Sequence, residues 1–188
     1  MKIIGGKHKG KKLNLPNKEI TRPLRDMVKE SIFNLILHSK KINLDIDNSK
    51  VLDLFAGSGS FGIECLSRGA QKIFFCEKNY ETIEILKKNI SSLNKNYDYE
   101  IINSDCFEIL KTGINFFSNK FDIIFVDPPY KELKLNEILI NIFNLKLLNE
   151  KGIIILHRHY KEKVDIFNKF EIIENRKYGL SKIIICKI

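Results

Sequence analysis

The sequence predicts an α/β fold in which most strands of a central sheet run parallel. From residue 51 onward, apolar segments of strand length alternate with segments of helical length. The strand-like segments are apolar almost without interruption, which is typical of parallel strands buried on both faces. Near the end of the chain, the polar stretch 174–181 is too short for a crossover helix, so the two strands around it should pair antiparallel.

The individual elements follow from the same patterns. The predicted strands are residues 51–55, 72–76, 100–102, 121–126, 152–156, 170–173 and 182–187. The predicted helices between them are residues 60–68, 79–93, 106–112 and 133–148. An earlier helix is indicated by the helical spacing of Val28, Ile32, Leu35 and Ile36. Residues 1–20 are basic and contain glycines between short apolar pairs, which predicts a small β-hairpin extension ahead of a main domain of residues 21–188.

Positive charge is concentrated at the start of the chain. The net charge is +9, and within residues 1–30 nine Lys or Arg accompany only three acidic residues. Such a segment favours a polyanionic partner such as nucleic acid, although a generally lysine-rich composition explains the overall charge equally well. The candidate RNA contacts are Lys7, Lys9, Lys11 and Lys12.

The cysteine spacing and the hydropathy of the sequence indicate the cellular compartment of the protein. The cysteines are widely separated in apolar surroundings, with no Cys-x-x-Cys pair: Cys65, Cys76, Cys106 and Cys186. We therefore expect reduced thiols in a cytoplasmic protein, with neither a disulfide nor a metal site. No signal peptide and no membrane-spanning segment are expected from the apolar runs. His157 and His159 have a spacing that metals sometimes use, but without a nearby acid or cysteine they predict a surface or RNA-contacting role.

A glycine-rich turn follows the first buried strand, within residues 51–62. Gly57 and Gly59 allow the backbone to approach a ligand closely, since no Cβ stands in the way. Glu77 ends the second strand, where a carboxylate can accept hydrogen bonds from both hydroxyls of a ribose. Both a nicotinamide dinucleotide and S-adenosylmethionine require such an acid, so the turn and Glu77 alone leave these two cofactors open.

Three further features favour S-adenosylmethionine. Asp53 lies inside the first strand, where a buried acid needs a polar partner such as the ammonium of a methionine moiety. Asp105 ends the third strand, where it can accept from an adenine amino group. The Asp-Pro-Pro-Tyr motif at residues 127–130 directly follows the fourth strand, and it has no role in a nicotinamide enzyme.

The Asp-Pro-Pro-Tyr motif suits methyl transfer to an exocyclic amine of a nucleobase. Such an amine is a poor nucleophile, and hydrogen bonds to the Asp127 carboxylate and the Pro128 carbonyl would orient it and stabilise its developing positive charge. Pro128 and Pro129 fix two consecutive φ angles and donate no N–H, which leaves a rigid turn with available carbonyls. Tyr130 offers a ring on which an extruded base can stack.

The sequence resembles the RsmD family of bacterial 16S rRNA (guanine-N2) methyltransferases. The resemblance extends over nearly the whole chain and rests on residues 3–13, 21–35, 53–59, 62–70 and 127–130. It implies a Rossmann-like class I fold with seven strands and a reaction on guanine 966 of small-subunit RNA. It also implies that 16S rRNA or an assembling small subunit is the partner, that the enzyme is a monomer, and that S-adenosylmethionine is used without a metal.

The resemblance assigns roles residue by residue. The cofactor-binding residues it implies are Asp53, Phe55, Gly57, Gly59, Glu77, Asp105 and Cys106, with Arg22 and Pro23 in a loop near cofactor and substrate. Guanine rather than adenine as the target rests on the resemblance alone, so an adenine-N6 amino methyltransferase of DNA or RNA remains the alternative. A nicotinamide oxidoreductase would explain only the glycine-rich turn. An RNA-binding module without catalysis would explain only the positive charge.

Overall fold

The computed structural model describes residues 1–16, 24–112, 120–129 and 134–188. These residues form one seven-stranded sheet in the order β3-β2-β1-β4-β5-β7-β6. The strands are β1 (Lys50–Asp53), β2 (Lys72–Glu77), β3 (Asp98–Asn103), β4 (Phe121–Val126), β5 (Leu148–His159), β6 (Glu171–Tyr178) and β7 (Ser181–Lys187). Strands β1 to β5 are parallel and β6 pairs antiparallel with β7, as the sequence predicts. β7 also pairs antiparallel with β5.

Helices cover both faces of this sheet. They are α1 (Asp26–His38), α2 (Ser60–Ser67), α3 (Tyr80–Ser91), α4 (Cys106–Thr112) and α5 (Leu135–Asn144). Because side chains alternate along a strand, Val51 packs into a core shared with α1, α2 and α3, while Leu52 packs into a second core shared with α4 and α5. The sheet is therefore doubly wound.

Several predicted boundaries were wrong. The strand predicted at 152–156 runs from Leu148 to His159, and the strand predicted at 170–173 continues to Tyr178, so the link to β7 is residues 179–180 instead of 174–181. The predicted strand 51–55 ends at Asp53, because residues 54 and 55 already turn toward the glycine-rich loop. The predicted helix 133–148 ends at Asn144, and β5 begins at Leu148. Lys146 has a φ of 53°, a left-handed conformation that a helix cannot continue through.

The N-terminal segment is a hairpin-like loop packed on the main core. An antiparallel bridge joins Lys2 and Lys12, and a short 3-10 helix, Gly6–His8, lies between them. Ile3 and Leu13 are buried in the same core as α1, α2 and α3. Hence the first residues of the chain contribute to folding, whatever else they contact.

Within the described ranges of the chain, none of the helices has the length and hydropathy needed to cross a membrane.

Candidate active site

The carboxyl ends of β1 to β4 border a cavity of about 680 Å³. β2 lies on one side of β1 and β4 on the other, so the cavity sits where the strand order reverses, which is where open α/β sheets bind ligands. The predicted site residues that line it are Asp53, Phe55, Gly57, Glu77, Asp105, Cys106, Asp127, Pro128 and Pro129. The structure thus brings together side chains that are spread over more than seventy positions of sequence.

The two glycines of the turn have different roles. Gly57 has a φ of 54°, and no heavy atom lies within 4 Å of the position that a Cβ would take, so it leaves space on the cavity side. Gly59 has a φ of 82°, and a Cβ there would lie 2.3 Å from Leu86 Cδ1 and 3.0 Å from Ile63 Cδ1. Gly59 does not line the cavity, and its lack of a side chain lets α2 and α3 pack against the turn.

Glu77 is held in place by backbone amides. Its Oε2 accepts a hydrogen bond from the Gly57 N–H at 3.0 Å, and its Oε1 accepts one from the Asn79 N–H at 2.8 Å. Each carboxylate oxygen has further lone pairs, so the group retains acceptor capacity toward the cavity. The arrangement fixes an acceptor that can receive the two hydroxyls of a ribose.

Asp53 is a buried acid with unused acceptor capacity. It is 1% exposed, and its Oδ2 accepts from the Gly62 N–H at 3.2 Å. Its Oδ1 is buried and has no hydrogen-bond partner among the described residues. Burial raises the pKa of Asp53 to about 8, and the nearby Asp127 and Glu77 carboxylates act in the same direction, against the Gly62 hydrogen bond. A cationic ligand group in the cavity would supply the missing partner.

The end of β3 provides an acceptor and an aromatic wall. Asp105 Oδ2 accepts from Lys78 Nζ at 2.9 Å, and its Oδ1 accepts from the Phe107 N–H at 2.9 Å. Burial alone would raise the pKa of Asp105, but these two hydrogen bonds and the Lys78 charge hold it below its ordinary value. Cys106 is buried at the start of α4, and the Phe107 ring meets the Phe55 ring edge-on at 6.4 Å. A flat heterocycle fits against such a wall.

Asp127 follows β4 and is supported by a histidine of β5. Its Oδ1 lies 2.9 Å from His157 Nδ1, and His157 Nε2 lies 2.9 Å from Ser181 Oγ of β7. His157 is only 4% exposed, so the surface or RNA-contacting role predicted for it is wrong. In the part of the chain that the structure describes, no three His, Cys, Asp or Glu side chains are grouped so as to hold a metal ion.

The next residue of β5 contacts the proline carbonyls. Arg158 is 3% exposed, and its Nη1 lies 3.4 Å from both the Pro128 and the Pro129 carbonyl oxygens. Its Nη2 forms an ion pair with Glu162 Oε2 at 2.5 Å. Two consecutive residues of β5 therefore support the segment that carries Asp127.

Some predicted site residues lie outside the described ranges, namely Arg22, Pro23 and Tyr130. Conversely, sequence reasoning missed a number of residues that line the cavity, among them Leu24, Phe107 and His157. Phe107 could have been found, since it lies two positions after Asp105 at the start of a predicted helix. The position of His157 depends on strand pairing that no local pattern shows.

The four N-terminal lysines are not equivalent. Lys7, Lys9 and Lys12 are exposed, whereas Lys11 is partly buried and its Nζ donates to the Ser92 carbonyl just after α3. His8, between them, contacts Tyr97, with Nε2 2.6 Å from the phenol oxygen. The segment therefore presents three lysines to solvent from a backbone that is anchored to the main domain.

A sheet of this order, with an antiparallel seventh strand inserted between the fifth and sixth, is the class I methyltransferase fold. The chain matches the family described as "Conserved hypothetical protein 95" over residues 1–187. It belongs to this family, the RsmD family.

The similarity to individual relatives covers much of the chain. It is 35% identical over 188 residues to YlbH of Bacillus subtilis, which carries the name of an rRNA methyltransferase, covering 100% of this chain and 98% of YlbH. It is 40% identical over 131 residues to Ribosomal RNA small subunit methyltransferase D of Haemophilus influenzae, covering 69% of this chain and 64% of the relative. The crystal structure of the methylase HI0767 from Haemophilus influenzae superimposes with a TM-score of 0.76 at 30% identity, covering 98% of this chain and 96% of HI0767.

Proposed function

We propose that this protein transfers a methyl group from S-adenosylmethionine to the exocyclic N2 amine of a guanine in 16S rRNA. One observation carries the proposal: the Asp127 carboxylate, which suits an amine, lines the same cavity as Asp53, Glu77 and Asp105, which suit the cofactor. A methyl donor and a nucleobase amine can therefore meet within one site.

The residues of the cavity fit S-adenosylmethionine. Asp53 Oδ1, buried without a partner among the described residues, would pair with the ammonium of the methionine moiety. Glu77 would accept the ribose hydroxyls, and Asp105 would accept from the adenine amino group beside Phe107. When bound, this cofactor supplies a methyl group on a positively charged sulfur. A nicotinamide cofactor would leave Asp127 without a function.

On the acceptor side, the chain itself orients the amine. Asp127 Oδ1 is engaged by His157, so its Oδ2 is the oxygen that would accept an N–H of the base. The Pro128 carbonyl would accept the second N–H, since a carbonyl oxygen has two lone pairs and Arg158 occupies only one of them. These acceptors align the nitrogen lone pair with the methyl donor and stabilise the positive charge that develops on nitrogen. The proton lost from the amine can leave through the Asp127 carboxylate.

Family membership and charge support the choice of nucleic acid. The names of the relatives refer to rRNA and to the small ribosomal subunit, which supports 16S rRNA, free or in an assembling particle, and a cytoplasmic site of action. Residues 1–20 would act as an RNA-contacting extension of the catalytic domain, with Lys7, Lys9 and Lys12 facing phosphates. Guanine 966 is the target that the family assignment favours.

The decisive experiment uses small subunits and 16S rRNA from bacteria that lack their own RsmD enzyme. These are incubated with the purified protein and isotopically labelled S-adenosylmethionine, and the RNA is digested to nucleosides for mass spectrometry. We expect label in N2-methylguanosine only. Absence of label from every nucleoside, with active relatives as positive control, would overturn the proposal.

The same digest tests the main alternative. The Asp-Pro-Pro geometry serves any exocyclic amine of a base, so label in N6-methyladenosine would indicate an adenine methyltransferase instead. Calorimetry tests the cofactor separately. We expect S-adenosylhomocysteine to bind with micromolar affinity and NADH to show no binding, and the reverse would indicate an oxidoreductase.

A further inference from the structure

We infer that His157 is a positioning residue that fixes the orientation of the Asp127 carboxylate for the acceptor amine. The inference rests on the proposed function insofar as Asp127 binds the amine. The hydrogen-bonded arrangement of His157, Asp127 and Ser181 can nevertheless be tested by itself.

Both ring nitrogens of His157 are used. Nδ1 lies 2.9 Å from Asp127 Oδ1, and Nε2 lies 2.9 Å from Ser181 Oγ. An ionised carboxylate can only accept hydrogen bonds, so Nδ1 carries the proton and donates to Asp127. Nε2 then accepts from the Ser181 hydroxyl. This assigns one tautomer to the imidazole: the Asp127 carboxylate selects it, and the Ser181 hydroxyl, which can donate or accept, complements it.

The sheet itself sets this geometry. In the register of β4 and β5, Val126 pairs with Leu156, so Asp127 and His157 are the next residues along two neighbouring parallel strands. Ser181 begins β7, which pairs with β5 on its other side. The imidazole is thus held between two strands, and its 4% exposure limits the competition of water for its hydrogen bonds.

As a consequence, the two oxygens of the Asp127 carboxylate have different roles. Its side chain is 19% exposed, so without support it could rotate between several orientations toward the cavity. The donor at Oδ1 limits that rotation and leaves Oδ2 for the amine. Partners that orient metal-binding side chains contribute on the order of 10- to 100-fold to affinity or activity, and we expect an effect of the same order for His157 on Asp127.

A set of matched variants separates orientation from packing. His157→Phe keeps a ring of similar shape and removes both hydrogen bonds. His157→Asn has an amide nitrogen near the position of Nδ1, so it retains the donor to Asp127 and loses the contact with Ser181. His38→Asn changes an exposed histidine at the end of α1 and serves as the control. Each variant is assayed by single-turnover methyl transfer at saturating RNA, beside titration with S-adenosylhomocysteine and thermal unfolding.

For His157→Phe we expect a loss of rate of about 10- to 100-fold with cofactor affinity within about twofold of wild type. His157→Asn should recover most of that rate, although it packs less well than phenylalanine. A folded His157→Phe with the wild-type rate would overturn the inference. So would a His157→Asn variant that is as slow as His157→Phe, because the retained donor would then have no effect.

A spectroscopic measurement does not depend on activity. Nitrogen-15 NMR of the imidazole should show His157 with its proton on Nδ1 in the wild type, and a shift toward the other tautomer in Asp127→Ala. If the wild type has its proton on Nε2, the inference fails even if the enzyme methylates guanine. If the NMR result is as expected but no RNA is methylated, the proposed function fails and the pairing of His157 with Asp127 stands.

Discussion

The amide of Gly57 donates a hydrogen bond to the Glu77 carboxylate over 3.0 Å, which joins the loop after β1 to the end of β2. The same carboxylate also accepts from the Asn79 N–H, so its position is set from two elements at once. A ribose acceptor built in this way is oriented before any ligand arrives, which lowers the entropy lost on binding.

Replacing Glu77 tests the cofactor half of the site. Glu77→Ala should weaken S-adenosylhomocysteine binding by roughly 1–3 kcal/mol, because the ribose hydroxyls would be buried without an acceptor. Glu81→Ala, an exposed acid in the first turn of α3, should leave affinity unchanged and serves as the control. Calorimetric titration measures both, and equal affinities for the two variants would contradict the role given to Glu77.

Asp127→Ala should impair methyl transfer and leave cofactor binding intact, the opposite of Glu77→Ala. We expect methyl transfer to fall by on the order of 10²–10³ in single-turnover rate, since a preorganised acceptor for the amine is lost. Cofactor affinity should change little, because Asp53, Glu77 and Asp105 remain. A variant that no longer binds S-adenosylhomocysteine would show that Asp127 belongs to the cofactor site.

Cofactor binding should depend on pH through Asp53. Its pKa of about 8 in the free protein means that it carries a proton at lower pH, whereas pairing with the methionine ammonium requires the carboxylate. Affinity for S-adenosylhomocysteine should therefore increase as pH rises from 6 to 8, by up to about tenfold per pH unit, and binding should release a proton. Calorimetry in buffers with different ionisation enthalpies detects that release.

Asp53→Asn provides the comparison for this pH dependence. The variant should bind more weakly at pH 8 and lose most of the increase between pH 6 and 8, because it has no proton to release. The raised pKa also has a consequence for folding: the contribution of Asp53 to the free energy of unfolding decreases as pH rises from about 3.8 toward about 8. A wild-type affinity that is constant over this range would contradict the assignment of Asp53 to the ammonium.

The parallel core and the antiparallel end of the sheet could be predicted from local patterns. Apolar runs identify strands buried on both faces, and the polar stretch 174–181 is too short for a crossover helix, although residues 174–178 turn out to belong to β6. The end of α5 could not be predicted, since Leu147 and Leu148 continue the apolar pattern of the helix. The helix nevertheless ends before these leucines, because Lys146 adopts a left-handed backbone conformation, and Leu148 is already the first residue of β5.

The candidate site could likewise be predicted only where local sequence patterns define it. The acids at the strand ends were identified because each occupies a fixed place relative to its own strand. The contact between His157 and Asp127 depends on which strands are neighbours and on their register, and the two residues are thirty positions apart. From sequence, His157 looked like half of a pair with His159. The strand register instead directs it to Asp127.

The last prediction concerns the N-terminal lysines. Ile3 is fully buried, and the Ile4 N–H donates to Glu64 Oε2 at 2.8 Å. Deleting residues 1–12 should therefore lower the melting temperature, so a truncation cannot isolate an effect on RNA.

Charge reversal avoids this difficulty. Lys7, Lys9 and Lys12 are exposed, so changing all three to glutamate keeps the apolar contacts and the hydrogen bond from Lys11 to the Ser92 carbonyl. If these side chains contact phosphates, RNA binding should weaken at low salt while affinity for S-adenosylhomocysteine stays the same. Each lost contact should flatten the slope of log K against log salt by roughly 0.7–0.9.

A matched variant, with Lys87, Lys146 and Lys151 changed to glutamate, removes the same charge from exposed positions outside the segment. If both triple variants bind RNA equally well, the N-terminal segment contributes only to folding.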